Sequence, residues 1–243
     1  AVLLRRDVST LAGSEAMTGL SKNSSVAILG EIAEPLLLLF ANNNSSQQQQ
    51  QQKRQIGHVI AEVCGSLSVA SAEHGREWMK NVLGRLEPGC AAMDTTYLRL
   101  LSDIADRSPV TLWSVGSADV FSSFFRGPIS SLDHLNAYAG ALCAVSIAYE
   151  KAKRVLSATD VEGDRADVER ALMAQFAEKC TSVNANAPPA KLGTAFLPPM
   201  LEALVAFANQ TSQAEAVSQT LSHLASCAEQ CPSLLAGEES TLA

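Results

Sequence analysis

Residues 98–109 read LRLLSDIADRSP, and residues 221–232 read LSHLASCAEQCP. Aligned, they agree at Leu98/Leu221, Leu101/Leu224, Ala105/Ala228 and Pro109/Pro232, and an acid stands at both Asp106 and Glu229. The shared apolar positions fall three and four apart, which is the spacing of one helix face. The shared proline marks where that helix stops. A catalytic site is needed once, whereas a unit that stacks on copies of itself is needed many times. The echo therefore predicts an all-α chain of repeated helix pairs.

Working outward, the same pattern returns. KRQIGHVIAEVCGSLSVA (53–70) sets Ile56, Val59, Ile60, Val63 and Leu67 at helical spacing. HGREWMKNVLGRLEP (74–88) does so with Trp78, Val82, Leu83 and Leu86, and Pro88-Gly89 is expected to end it. TTYLRLLSDIADRSP (95–109) stops before Pro109. A further pair fits 110–125 and 130–156, and a last one LPPMLEALVAFAN (197–209) with AEAVSQTLSHLASCAEQCPSLL (214–235). Pro35 interrupts the apolar run at 24–42 much as Pro198-Pro199 interrupts the run at 197–209. NNNSSQQQQQQ (42–52) reads as a flexible loop, although Gln can also extend the helix that follows. SVNANAPPAKLG (182–193) reads as a loop by composition.

The resulting units are a partial one at 1–23, then 24–70, 74–109, 110–156 and 188–236, with 157–187 as an insert. Pairs of about 40–47 residues have the period of HEAT and armadillo repeats. Such a unit cannot bury its apolar face alone. The expectation is a single HEAT-repeat α-α superhelix over 1–243, each pair hiding its face on the next. The opening AVLLRR has no N-cap, as expected of a chain that starts inside a helix of a longer protein.

Composition agrees with helices. Hydrophobic residues make up 47% and aromatics only 5%, so the β-branched and aromatic runs that mark strands are scarce. The net charge of −7 disfavours sequence-independent nucleic-acid binding, which rests on Lys and Arg at phosphates. No uninterrupted apolar run long enough to span a bilayer is evident. The six cysteines are scattered and read as packed, reduced thiols. Cys227 and Cys231, one turn apart, would need two further ligands to hold a metal. There is no phosphate loop, no HExxH and no nucleophile elbow. The acidic pairs Glu31/Glu34 and Asp103/Asp106 read as solvated helix faces rather than catalytic carboxylates. Neither an enzyme nor a cofactor is expected.

Within that frame, four segments resemble one family in order and spacing: AVLLRR (1–6), KRQIGHVIAEVCGSL (53–67), EWMKNVLGRL (77–86) and the stretch FLPPMLEALVAFANQTSQAEAVSQTLSHLASCAEQCPSLL (196–235). They resemble the importin-β superfamily of nuclear transport receptors, and within it the importin-five branch. The resemblance covers most of 1–109 and 190–236, while 110–189 diverges. It implies the N-terminal arch of an import receptor that shuttles between cytoplasm and nucleus. Its implied partners are Ran-GTP on the inner helices, basic cargo proteins, and phenylalanine-glycine nucleoporins in outer grooves. Polar positions on the inner helices are the candidates for Ran binding: Arg5, Arg6, Lys53, Arg54, His58, Asp94, Arg99 and Asp103. The alternative is a HEAT scaffold of another class, such as a phosphatase scaffold subunit, and a helical enzyme stands third.

Overall fold

The computed structural model describes residues 22–42, 47–91, 94–158, 188–209 and 214–235. Among these residues the chain is all helical. The elements are α1 (Lys22–Asn42), α2 (Gln47–Ala70), α3 (Ala72–Ala91), α4 (Thr95–Arg107), α5 (Pro109–Val115), α6 (Ala118–Phe124), α7 (Leu132–Ala158), α8 (Pro188–Ala208) and α9 (Ala214–Gln230). A 3-10 turn at Pro232–Leu234 follows α9. The partial unit at 1–23 and the insert at 157–187 lie almost wholly outside the described residues.

The helices pack in two layers. In one, α4 lies against α2, α7 against α4, and α9 against α7. In the other, α1 meets α3, α3 meets α5 and α6, and α6 meets α8. The layers join through α1–α2, α2–α3, α3–α4, α4–α5, α5–α7, α7–α8 and α8–α9. The core between them takes the faces set out by the sequence spacing: Val59, Ile60, Val63 and Leu67 from α2, Val82, Leu83 and Leu86 from α3, and Leu98, Leu101 and Ala105 from α4. At its centre Trp113 stacks edge-on against Phe121 and Tyr149, and its Nε1–H donates to the Val145 carbonyl at 2.9 Å.

The echoed motif has matching geometry at its end. Ser108 and Cys231, each just before the proline, sit at φ −135° and −136°. Each donates its N–H to the carbonyl four residues back, Ile104 at 2.9 Å and Cys227 at 2.8 Å. Each proline then opens a new helical turn, where its missing N–H is harmless. Burial differs. Leu98 is fully buried because α4 has α2 on one side and α7 on the other, whereas Leu221 is 48% exposed and, within its layer, α9 has only α7 beside it among the described helices.

Several local expectations are corrected. Pro88-Gly89 does not end α3, which runs on to Ala91. The Tyr97 ring lies so close to Gly89 that a Cβ there would collide with it, so packing of α4 holds the last turn in place. Gln47–Gln52 are helical and extend α2 instead of forming a loop, as a good helix former does ahead of an established amphipathic helix. The helix expected over 110–125 is two short ones, broken at Gly116-Ser117. Gly116 is extended and has the Phe121 ring against it, while the Ser117 side chain caps α6 by accepting from the Val120 N–H at 3.2 Å. Residues 188–193 belong to α8 rather than to a loop, with Pro188 and Pro189 in its first turn. Pro35 and Pro198-Pro199 lie inside α1 and α8 without ending them. By length and composition alone α8 is apolar enough to cross a membrane, which the sequence reading did not expect. In the fold it packs on α6, α7, α9 and the 3-10 turn.

Candidate functional site

The layer α2–α4–α7 carries a band of polar side chains. Arg5 and Arg6 lie outside the described residues, and the other six candidates fall on α2, on α4 or at the α4 cap. They divide into three groups.

The first is internal. Lys53 was expected at the surface, and the structure overturns this: its side chain is 7% exposed. Its Nζ lies 2.7 Å from Asp94 Oδ2, 5.1 Å from the centre of the Phe40 ring and 4.3 Å from that of Tyr97. A carboxylate and two ring faces thus compensate the buried ammonium. Asp94 also caps α4, accepting from the Thr96 N–H at 2.9 Å and from the Thr96 hydroxyl. Burial alone would raise the Asp94 pKa. The hydrogen bonds from Lys53 and Thr96 outweigh it and hold the carboxyl below its ordinary value. Lys53 and Asp94 tie α1, α2 and α4 together and present little to a partner.

The second is a charged cluster one to two turns along the groove. Arg107 Nη1 pairs with Glu62 Oε1 at 2.7 Å, and Arg107 Nη2 lies 3.2 Å from His58 Nε2. A guanidinium only donates, so in the neutral ring Nε2 accepts and the proton sits on Nδ1. That nitrogen faces Asp103 Oδ2 at 3.7 Å. Burial raises the Asp103 pKa above its ordinary value, and the attraction of His58 and Arg107 only partly offsets this. Glu62 and Arg107 were not among the candidates. Their signal in the sequence is the four-residue offset from His58 and from Asp103.

The third is a cavity of about 250 Å³ between α2 and α4, lined by Arg54, Gly57, Thr96, Arg99, Leu100, Ser102 and Asp103. Arg99 also reaches across to Asp133 at the start of α7. Arg54 has no hydrogen-bond or ion-pair partner among the described residues. Three of the candidates, Arg54, Arg99 and Asp103, therefore converge on one opening, and His58 flanks it through Asp103.

No family model, curated protein or solved structure matches this chain. The acidic pairs do not converge as a reacting dyad: Asp103 faces His58, Asp106 takes Lys151 at 3.0 Å, and Glu34 takes Arg85. Among the described residues no group of three or more His, Cys, Asp or Glu is arranged to hold a metal ion. Cys64, Cys90, Cys143, Cys227 and Cys231 are free and buried, as packed thiols should be, and Cys180 lies outside the described residues. Burial pushes Cys64 and Cys90 up to about 12. A hydrogen bond to Cys227, with burial, keeps Cys143 protonated. What the band offers is a polar face of alternating charge beside a small basic opening between α2 and α4.

Proposed function

We propose that the chain is a protein-binding solenoid of the HEAT class that docks a protein partner on its α2–α4–α7 face, and that the partner is Ran-GTP on a nuclear import receptor. The observation that carries the docking face is the convergence of Arg54, Arg99 and Asp103 on one opening in one layer. The Ran reading rests on the sequence resemblance, which names the inner helices as that partner's seat. The two-layer packing supports the repeat reading, because α4 and α7 touch neighbours on both sides in one layer, as α3 and α6 do in the other. Function here is binding alone. A partner that prefers one arrangement of the stacked pairs over another shifts the chain toward it by its difference in affinity. Basic cargo and phenylalanine-glycine nucleoporins complete the proposed set of partners, with the protein moving between cytoplasm and nucleus.

The test is calorimetry of the folded chain with Ran loaded with GTP and, separately, with GDP. GTP-selective binding is the expected outcome. No binding to either form moves the proposal to the second reading, a HEAT scaffold of another class. One observation favours that reading. Neighbouring helices of the layer are pinned by ion pairs, Lys53–Asp94 and Glu62–Arg107 between α2 and α4, and Arg99–Asp133 and Asp106–Lys151 between α4 and α7. A layer pinned in this way suits a rigid platform.

A further inference from the structure

We propose that the cavity between α2 and α4 is a subsite for a single carboxylate, the side chain of a Glu or Asp on the partner protein. The proposal rests on the partner-docking reading and adds what the partner must bring.

The lining selects the chemistry. Two guanidiniums, Arg54 and Arg99, and one carboxylate, Asp103, face the opening, so the lining carries a net positive charge in a chain whose total is −7. Arg99 spends part of its five-donor fork on Asp133, and Arg54 spends none on any described residue. The Ser102 hydroxyl is likewise uncommitted among the described residues and can donate. The Thr96 hydroxyl gives its proton to Asp94 and has only lone pairs to offer. The free donors are the two guanidiniums and the Ser102 hydroxyl, so an entering group that accepts hydrogen bonds is the one they can hold. A planar carboxylate matches the guanidinium fork.

Charge and size then narrow the group. A phosphate dianion would set two charges against Asp103 in the same wall and Asp133 behind Arg99, whereas a carboxylate sets only one. Leu100 and Gly57 provide an apolar wall on which the methylene stem of a side chain can lie. Asp103 is turned toward His58 Nδ1, which draws its charge away from the opening.

The experiment is a heteronuclear NMR titration of the full chain, following the arginine side-chain N–H signals and the amides of α2 and α4. The probes are acetyl-glutamate N-methylamide, its glutamine counterpart and inorganic phosphate. The expected result is saturable shifts centred on Arg54, Thr96, Arg99 and Ser102 with the glutamate probe, in the ~1 mM range for one charge-assisted fork. Binding of the glutamine probe is expected to be at least ~10-fold weaker. Arg54→Gln, at an exposed position with no described partner to strand, is expected to lose ~10-fold with the same circular dichroism, and Arg54→Lys to fall between. Equal binding of glutamate and glutamine probes, tighter binding of phosphate, or full binding in Arg54→Gln would each overturn the proposal. The small probes separate this from the Ran reading. A chain that takes the glutamate probe and ignores Ran-GTP keeps its subsite and loses its assigned partner.

Discussion

Removing Asp94 should cost the fold more than removing the lysine it holds. Asp94→Ala deletes the α4 cap and leaves the Lys53 ammonium, 7% exposed, without its counter-charge. Loss of a side-chain cap costs about 1 kcal/mol. Stranding one member of a buried pair costs about 3–5 kcal/mol, and two features reduce that here. Asp94 is itself 36% exposed, so the pair is partly solvated, and the Phe40 and Tyr97 faces keep some hold on the ammonium. The total for Asp94→Ala is about 3 kcal/mol. Lys53→Met keeps the bulk, removes the buried charge, and leaves Asp94 with both Thr96 bonds and access to water, for about 1 kcal/mol. The double variant should cost about 2 kcal/mol, less than Asp94→Ala alone, because no charge is stranded. Urea unfolding followed by circular dichroism, at a common m value, measures all three. If Lys53→Met costs as much as Asp94→Ala, or the two effects simply add, the account of the cage is wrong. The pair also sets an acid limb. The folded-state pKa of Asp94 lies below its ordinary 3.8, so its contribution is full above that value and fades as pH falls through the folded-state value. Asp94→Ala should flatten that limb.

Other tests read other parts of the fold. Gly193→Ala drives a Cβ into the Leu234 backbone where α8 meets the 3-10 turn, and should cost about 1–3 kcal/mol in urea unfolding. Gly30→Ala, on an exposed face of α1 with nothing near the new methyl, should stabilise by about 1 kcal/mol in the same assay. Cys64 and Cys90 should resist a thiol reagent at pH 8 until the chain unfolds. Their folded-state pKa of about 12 lies above the ordinary 9.0, so their contribution to stability is full below 9.0 and is lost as pH rises through the folded-state value. Rapid labelling of either under native conditions would contradict the burial shown here. Asp103 works in the opposite sense to Asp94. Its raised pKa favours the protonated fold, so stability tied to it is full below 3.8 and falls as pH rises through the folded-state value, a slope that Asp103→Asn should remove from a pH series of unfolding curves.

The helix faces were legible in the sequence because burial follows the 3.6-residue period. Val59, Ile60, Val63 and Leu67 are all buried and Ile56 is half-buried against them, and Trp78, Val82, Leu83 and Leu86 are buried too. The echoed motif was legible down to its closing geometry at Ser108 and Cys231. Distant contacts were not. Pro88-Gly89 is a stop signal in any local reading, and what carries α3 past it is a ring from another helix. The same holds at the site. Lys53 and Arg54 are adjacent basic residues on α2, but a turn of about 100° separates them. One enters a cage whose walls come from α1 and α4, and the other lines a groove against α4. No local feature distinguishes the two. The cavity depends on which face of α4 meets α2, which only packing decides.

The proposed docking face is tested most directly by hydrogen–deuterium exchange of the folded chain with and without Ran-GTP. The account predicts slowed exchange along α2 and α4, over residues 54–62 and 96–107, and an unchanged α1–α3 layer. The effect should be lost when Arg54 and Asp103 are both charge-reversed. Protection confined to α1 and α3, or protection that survives the double reversal, would contradict it.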